Sequence, residues 1–262
     1  MIGASGFVGG RLASRLKAEG WDVYAPAKGD PALLKRDLGT VFYCAGLTAD
    51  YDLRPFDTVA AHTSLVSEVL RADRFERLVY TSSTRLYDGL DLAEVDEDEP
   101  LVFDPADPRR VYDLSKALGE NLTVTRAEGR GAVARLANVY DWEEGAPGFL
   151  SEWLIQARAG RDITLASSPH VARDYVHLDD VVAALIAVAA GREPIVNVAS
   201  GELVTNGAIA QVFEAAGWRV AFTGDARPPA PPNASVARLA RLGVRARPVK
   251  DVVAAYLKGL TA

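Results

Sequence analysis

Tyr112 and Lys116 stand four residues apart in a stretch patterned as a helix, where side chains at i and i+4 are neighbours. An ammonium beside a phenol favours the phenolate and lowers the Tyr pKa, as proton transfer near neutral pH requires. With 9 Tyr and 6 Lys in 262 residues, about 0.2 such spacings are expected by chance. Two occur. The other, Tyr24 and Lys28, straddles Pro26 at a strand end and cannot share a helix face. Taken alone, the Tyr112–Lys116 pair also reads as a solvated pair on a helix surface. A run ending Thr81-Ser82-Ser83 adds hydroxyls at the C-terminal edge of a strand, where α/β sheets bind ligands. A Ser there could hydrogen-bond the oxygen that the Tyr protonates or deprotonates. Gly3, Gly6 and Gly9 have the spacing G-x-x-G-x-x-G at a helix start. Glycines permit the tight turn and the close backbone approach that a pyrophosphate at a helix N-terminus needs. Because the chain holds 22 glycines, this spacing gains weight from its position rather than its rarity.

Elements to hold these groups follow in alternation. Val8, Leu12 and Leu16 recur at helical spacing, and Gly20 closes the helix. Residues 21–25 and 40–45 are strand candidates, 57–71 a helix and 77–81 a strand. Residues 88–108 form an acidic, Pro-containing loop. Its run Glu94, Asp96, Glu97, Asp98 and Glu99 reads as a solvated face rather than a metal site. A helix over 111–127 and a strand over 132–136 complete a first part, residues 1–140. Such alternation specifies a parallel sheet covered on both faces. Residues 141–262 form a smaller second part, expected to pack partly back on the first. It has helices over 150–159, 181–190 and 206–216, strands over 163–166 and 195–198, a Pro-rich linker at 227–232 and two last helices. A strand of about 5–6 residues normally precedes a glycine turn. Here only Met1 and Ile2 stand before Gly3, so the first strand is expected to be cut short.

Composition removes several classes of function. A net charge of −6 and a sequence pI near 5.2 argue against binding nucleic acid, whose phosphates need clustered Lys and Arg. One Cys and three scattered His cannot build a multi-thiolate or His-rich metal site. The single Cys also suits a reducing, cytoplasmic compartment. The longest apolar run, 181–190, is half of the roughly 20 residues that a membrane span needs. No basic and apolar leader opens the chain. No membrane role is expected.

Several segments together resemble the extended short-chain dehydrogenase/reductases, specifically the NAD-dependent epimerase/dehydratase family acting on nucleotide sugars. Gly3 to Gly9 is similar to the family's cofactor turn, and Phe42-Tyr43-Cys44-Ala45-Gly46 to the strand lining the cofactor. Leu78-Val79-Tyr80-Thr81-Ser82-Ser83-Thr84-Arg85-Leu86-Tyr87 resembles the serine strand. Tyr112-Asp113-Leu114-Ser115-Lys116, with Gly119-Glu120, resembles the catalytic helix. Arg135-Leu136-Ala137-Asn138-Val139-Tyr140 and Arg173-Asp174-Tyr175-Val176-His177-Leu178-Asp179-Asp180 resemble substrate-facing segments. Asn197-Val198-Ala199-Ser200-Gly201-Glu202 and the stretch from Leu239 to Val244 resemble later signatures.

The resemblance implies a Rossmann-like, doubly wound parallel sheet over 1–140, with 141–262 as a mainly substrate-binding part. It implies Tyr112 as acid/base, Lys116 as its electrostatic partner and a cofactor-ribose ligand, and Ser83 as the hydroxyl polarising the reacting oxygen. Gly3, Gly6, Phe7, Gly9, Lys28 and Ala45 would join Tyr112 and Lys116 in binding NAD or NADP. Asn138, Arg173 and Arg227 would hold the diphosphate of a nucleotide-diphosphate sugar, a task that suits the planar guanidinium fork. Arg173 could instead pair with a neighbouring Asp, and His177 reads as structural rather than catalytic. A homodimer through the 111–127 and 57–71 helices is a further expectation of the resemblance.

Departures sharpen the function. Pro26-Ala27-Lys28 stands where NAD-preferring relatives place an acidic residue, and could favour a 2′-phosphate. Residues 28–40 are short for a third strand. Thr84-Arg85 replaces the Asp-Glu pair of the 4,6-dehydratases and the Cys of fucose-synthase-like enzymes. Asp141-Trp142 stands where Gly-Pro is common. The expected reaction is therefore C4 epimerisation by hydride transfer, with a nucleotide-sugar 4-ketoreductase as the near alternative. A non-catalytic NADP-sensing regulator and a dehydrogenase of small carbonyls are the readings from other classes.

Overall fold

The computed structural model describes residues 1–48 and 50–261. The first half runs α1 (Phe7–Ala18), β1 (Thr40–Tyr43), α2 (Pro55–Val59), a π turn (Ala60–Ser64), α3 (Leu65–Ala72), β2 (Arg77–Ser83), β3 (Glu94–Val95), α4 (Val111–Arg126) and β4 (Gly131–Leu136). The second runs β5 (Asn138–Tyr140), α5 (Phe149–Ala159), β6 (Asp162–Leu165), β7 (Ala172–His177), α6 (Leu178–Ala190), β8 (Ile195–Val198), β9 (Leu203–Thr205), α7 (Asn206–Ala215), β10 (Arg219–Phe222), β11 (Asn233–Ala234), α8 (Ala237–Arg241) and α9 (Val249–Gly259).

The main sheet has the order β1-β2-β4-β8, with every pair parallel. Thr40 stands opposite Arg77, Leu78 opposite Gly131 and Val133 opposite Ile195. All six residues of β4 are buried, as in a strand covered on both faces. On one face Leu12 and Leu16 of α1 join Val181, Leu185 and Val188 of α6 over Val79, Ala132 and Val196. On the other, Val66, Val69 and Leu70 of α3 pack with Val41, Leu78, Tyr80 and Val133. The fold is the expected doubly wound parallel sheet. A second core gathers Trp153 and Leu154 of α5, Phe213 of α7, Trp218, and Val253 and Leu257 of α9. Although α6 and β8 lie beyond residue 140, they return to the first sheet.

Departures from the sequence reading have local causes. Residues 21–25 form no strand; the Met1 amine donates to Tyr24 O at 2.8 Å. Ile2 makes a single parallel bridge with Tyr43. Residues 28–39 are turns and irregular chain, so no third strand forms there. β7, β9, β10 and the short β3 and β11 escape a pattern search, since strands such as Ala172–His177 mix charged and apolar residues and owe their burial to context. Within the acidic loop β3 pairs with β11. Glu97 is not solvated there: it is buried, accepts the Asn197 N–H at 2.8 Å and faces Arg238 at 3.4 Å. Among the described residues no helix is long and apolar enough to cross a membrane.

Two sets of charges bind the parts together. Arg11 of α1 reaches Asp141 at 2.5 Å, Glu143 at 2.7 Å and Asp179 at 2.5 Å, joining the glycine-turn helix to the start of α6 and to the chain after β5. Inside the sheet, Arg135 of β4 is 3% exposed and donates to both carboxylate oxygens of Glu120 and to the Tyr87 hydroxyl. Removing one member of a buried pair leaves the other charge unpaired, at a cost of about 3–5 kcal/mol. Glu120→Ala is therefore expected to lower unfolding free energy by about that amount, as read from the urea midpoint by circular dichroism; an unchanged midpoint would refute it.

Candidate active site

The glycine turn is built by close approach. Gly3 has φ +83°, and a Cβ there would lie 2.6 Å from the Ala45 nitrogen. A Cβ on Gly9 would lie 2.2 Å from Gly3 O, so α1 packs against its own turn only because both positions lack side chains. Gly6 caps α1, donating its N–H to Gly3 O at 3.0 Å. No side chain caps the first turn of α1, and no acidic residue lies in it. Its amides therefore remain available to an anion, and these residues fit the pyrophosphate of a dinucleotide.

The hydroxyl run and the Tyr–Lys helix meet beside this turn. Lys116 is buried, and its ammonium donates to Thr81 O at 2.8 Å. A Cβ on Gly46 would lie 3.3 Å from Nζ and 3.0 Å from His62 Nε2, so the backbone after β1 approaches both closely. Desolvation pushes the Lys116 ammonium down to about 8, opposed by Cys44 and Glu120. Tyr112, one helical turn earlier, is also buried. Burial pushes its phenol up to about 12 despite the Ser83 hydroxyl and the Arg85 guanidinium, which both favour ionisation. One ammonium proton goes to the strand carbonyl and two remain, while burial opposes the ionisation of Tyr112 that the spacing favours. Ser83 Oγ accepts the Arg85 N–H at 3.2 Å, which leaves its own proton free to donate.

His62, which the sequence reading passed over, completes the inner wall. It lies in the π turn, fully buried, with its ring edge-on to Tyr112 at 5.1 Å. Its Nε2 accepts the Leu47 N–H at 3.3 Å, so Nδ1 carries the proton and donates to Ser115 Oγ at 2.8 Å. Desolvation and the Lys116 charge push it down to about 3, so the ring is neutral. The widened turn is held by two strand tyrosines: Tyr43 donates to Ala61 O, and Tyr80 to His62 O at 2.9 Å. A lone His in a helical stretch carries no sequence signal of this role.

The remaining candidates are placed unevenly. Asn138 at the start of β5 donates to Asp174 O at 2.9 Å. Arg173 lies over the Phe149 ring at 5.5 Å, and its buried Nη1 has no hydrogen-bond partner. Among the described residues no carboxylate pairs with it. The adjacent Asp174 instead accepts from the Ser200 hydroxyl and N–H and from the Gly201 N–H. Arg173 thus keeps donor capacity for an anion. Lys28 is exposed in a turn, and Arg227 is exposed in the Pro-rich segment with no bond that brings it to the site. His177 caps α6 through Nδ1, which accepts the Asp179 N–H, as a structural residue would.

The profile of the NAD dependent epimerase/dehydratase family matches residues 1–199. Comparison with curated proteins found no match. Among solved structures the chain is similar to MoeE5 in complex with UDP-glucose and NAD, with 24% identity and a TM-score of 0.80 over 99% of this chain and 97% of the other. It is similar to the UDP-glucose 4-epimerase of Thermotoga maritima, with 16% identity and a TM-score of 0.78 over 98% and 96%. It is also similar to the NDP-hexosamine 5,6-dehydratase TunA, with 21% identity and a TM-score of 0.79 over 98% and 95%. At these identities the likeness is one of fold.

The buried ammonium has a measurable signature. Below pH 8 the folded chain holds a charge that burial disfavours, while the unfolded Lys keeps its ordinary value of 10.5. Between those values the unfolded state binds more protons, so stability is expected to rise with pH across that window. Lys116→Met is expected to flatten the rise and to stabilise the fold at pH 7. The gain is about 2 kcal/mol, the charge-burial cost less the lost hydrogen bond. Urea unfolding of both proteins between pH 7 and 10 checks this; a wild-type profile in the Met variant would overturn it.

Proposed function

The chain belongs to the NAD dependent epimerase/dehydratase family, and on that premise we propose that it epimerises a nucleotide-diphosphate sugar at C4 through Ser83, Tyr112 and Lys116. The observation that carries this reading is the meeting of the Ser83 hydroxyl with the Tyr112 phenol, with no carboxylate directly following Ser83. Thr84 and Arg85 follow the Ser. The nearest buried carboxylate, Asp113, is committed to Arg85 at 3.2 Å and Arg110 at 3.0 Å.

A nicotinamide, NAD or NADP, supplies the acceptor and later donor of hydride. Ser83 holds the sugar hydroxyl, and Tyr112, once its own proton has gone to solvent, takes the hydroxyl proton as a phenolate while the carbinol becomes a ketone. Tyr112 returns the proton after the ketone has presented its other face. Lys116 lies between the Thr81 carbonyl and the close-packed backbone at Gly46, and its remaining donors suit the cofactor ribose. Arg173, with its unpartnered Nη1, and Asn138 suit the diphosphate; exposed Arg227 would have to approach as substrate binds. Lys28, exposed in its turn, suits either cofactor. Leu53, Phe56 and Val59 around α2 and Leu114 and Leu118 of α4 are exposed, an apolar face suited to a second copy of this chain.

Incubation with UDP-glucose and NAD is expected to give a C4 epimer without net NADH, followed by NMR. Tyr112→Phe is expected to lower the rate by at least about 10²-fold, the scale of general acid–base catalysis. Net consumption of reduced cofactor with a 4-keto sugar would instead assign the ketoreductase. Cofactor binding with no turnover of any nucleotide sugar would assign the sensor. Phe56→Asp is expected to convert a dimer to a monomer in sedimentation; an unchanged mass would reject that interface.

A further inference from the structure

The proposed acid/base sits in surroundings that oppose its ionisation. Tyr112 is buried, and a fully buried carboxylate, Asp113, follows it on α4. Lys116, the cation on the same helix, donates to Thr81 O. Ser83 from β2, Tyr51 from the chain before α2 and His62 from the π turn also face the phenol; none brings a positive charge, since His62 is neutral.

Arg85 does. The 3₁₀ turn Thr84–Tyr87, capped by Ser83, lays its guanidinium carbon 5.2 Å from the Tyr112 ring centroid and 4.7 Å from that of Tyr51. The two rings are themselves 5.3 Å apart. Asp113 Oδ1 faces Arg85 Nε at 3.2 Å, and Arg110 takes the other oxygen at 3.0 Å. The guanidinium is 34% exposed, so it borders the space beside the phenol rather than the core. Thus Arg85 shares Asp113 with Arg110 and presents a cation to two tilted phenol rings.

We propose that Arg85 is a positioning residue for proton transfer: paired with Asp113 and lying over the rings of Tyr51 and Tyr112, it lowers the cost of forming the Tyr112 phenolate. This rests on Tyr112 as the acid/base. It also gives a physical role to the residue that stands where dehydratases of the family carry a carboxylate. A cation there favours loss of the phenol proton, whereas a carboxylate would oppose it.

The test replaces Tyr112 by 3,5-difluorotyrosine, whose fluorines acidify the phenol and report its ionisation as one ¹⁹F resonance. The titration needs neither cofactor nor sugar. Arg85→Gln is expected to raise the ¹⁹F midpoint by about one pH unit, the low end of what a nearby cation produces. Arg85→Lys is expected to recover half or more of that shift. Arg85→Met keeps contact with both rings and is expected to behave as Gln does, which covers failure of either neutral variant to fold. Equal midpoints in all proteins, or equal shifts for Lys and the neutral variants, would overturn the proposal. The expected shifts without nucleotide-sugar turnover would reject the epimerase reading and leave the role of Arg85 intact.

Discussion

The contact between the Lys116 ammonium and the Thr81 carbonyl sets the spacing between α4 and the end of β2, and the site is organised around it. A charge taken out of water must find a strong acceptor, and the carbonyl near the C-terminal end of a strand supplies one. With Lys116 fixed, Tyr112 falls one turn earlier along α4 and meets the hydroxyl of Ser83. His62 is held neutral beside the same charge, so the inner wall carries a single cation. The π turn brings His62 to this position, and Tyr43 and Tyr80 satisfy two of its carbonyls. π turns recur at functional sites because they re-aim a side chain without ending the helix.

The site also depends on keeping two cores in register. Arg11 reaches three carboxylates from the second turn of α1, so the helix that begins at the glycine turn is tied to the chain following β5 and to α6. Within the sheet, Arg135, Glu120, Tyr87 and Asn197 form a buried polar chain from α4 through β4 to β8. Glu97 and Arg238 extend it to the acidic loop and α8. Such networks specify one arrangement because every alternative leaves a buried charge unpaired. Around Tyr112 the same logic yields a second cluster, in which Arg85 and Arg110 share Asp113.

Much of the architecture was legible because it rests on local periodicity. The alternation of buried apolar runs with helical stripes identifies β1, β2, β4 and β8 and the helices on both faces. Three glycines at a helix start identify the turn, and the Tyr112–Lys116 spacing marks one helix face. What escaped was decided at long range. Residues 21–25 have strand composition but form no ladder, their hydrogen bonding to the first residues being the single bond from Met1 to Tyr24 O. β7 has a mixed composition and becomes buried through β5 and β9. Glu97 sits in a charge run that reads as solvated, yet its own partners come from residues 197 and 238.

The residue types and spacings by themselves pointed to the fold class, the glycine turn, the hydroxyl run Thr81-Ser82-Ser83 and the Tyr112–Lys116 pair, because side-chain periodicity and backbone sterics act over a few residues; the choice of Ser83 came from the family resemblance. The tertiary structure alone decided how those groups are charged. It sends the Lys116 ammonium to Thr81, raises Tyr112 by burial, and brings in His62, Tyr51 and Arg85 from three other segments. Protonation depends on desolvation and on every charge within several ångströms, and neither quantity is written in the spacing of residues along one helix.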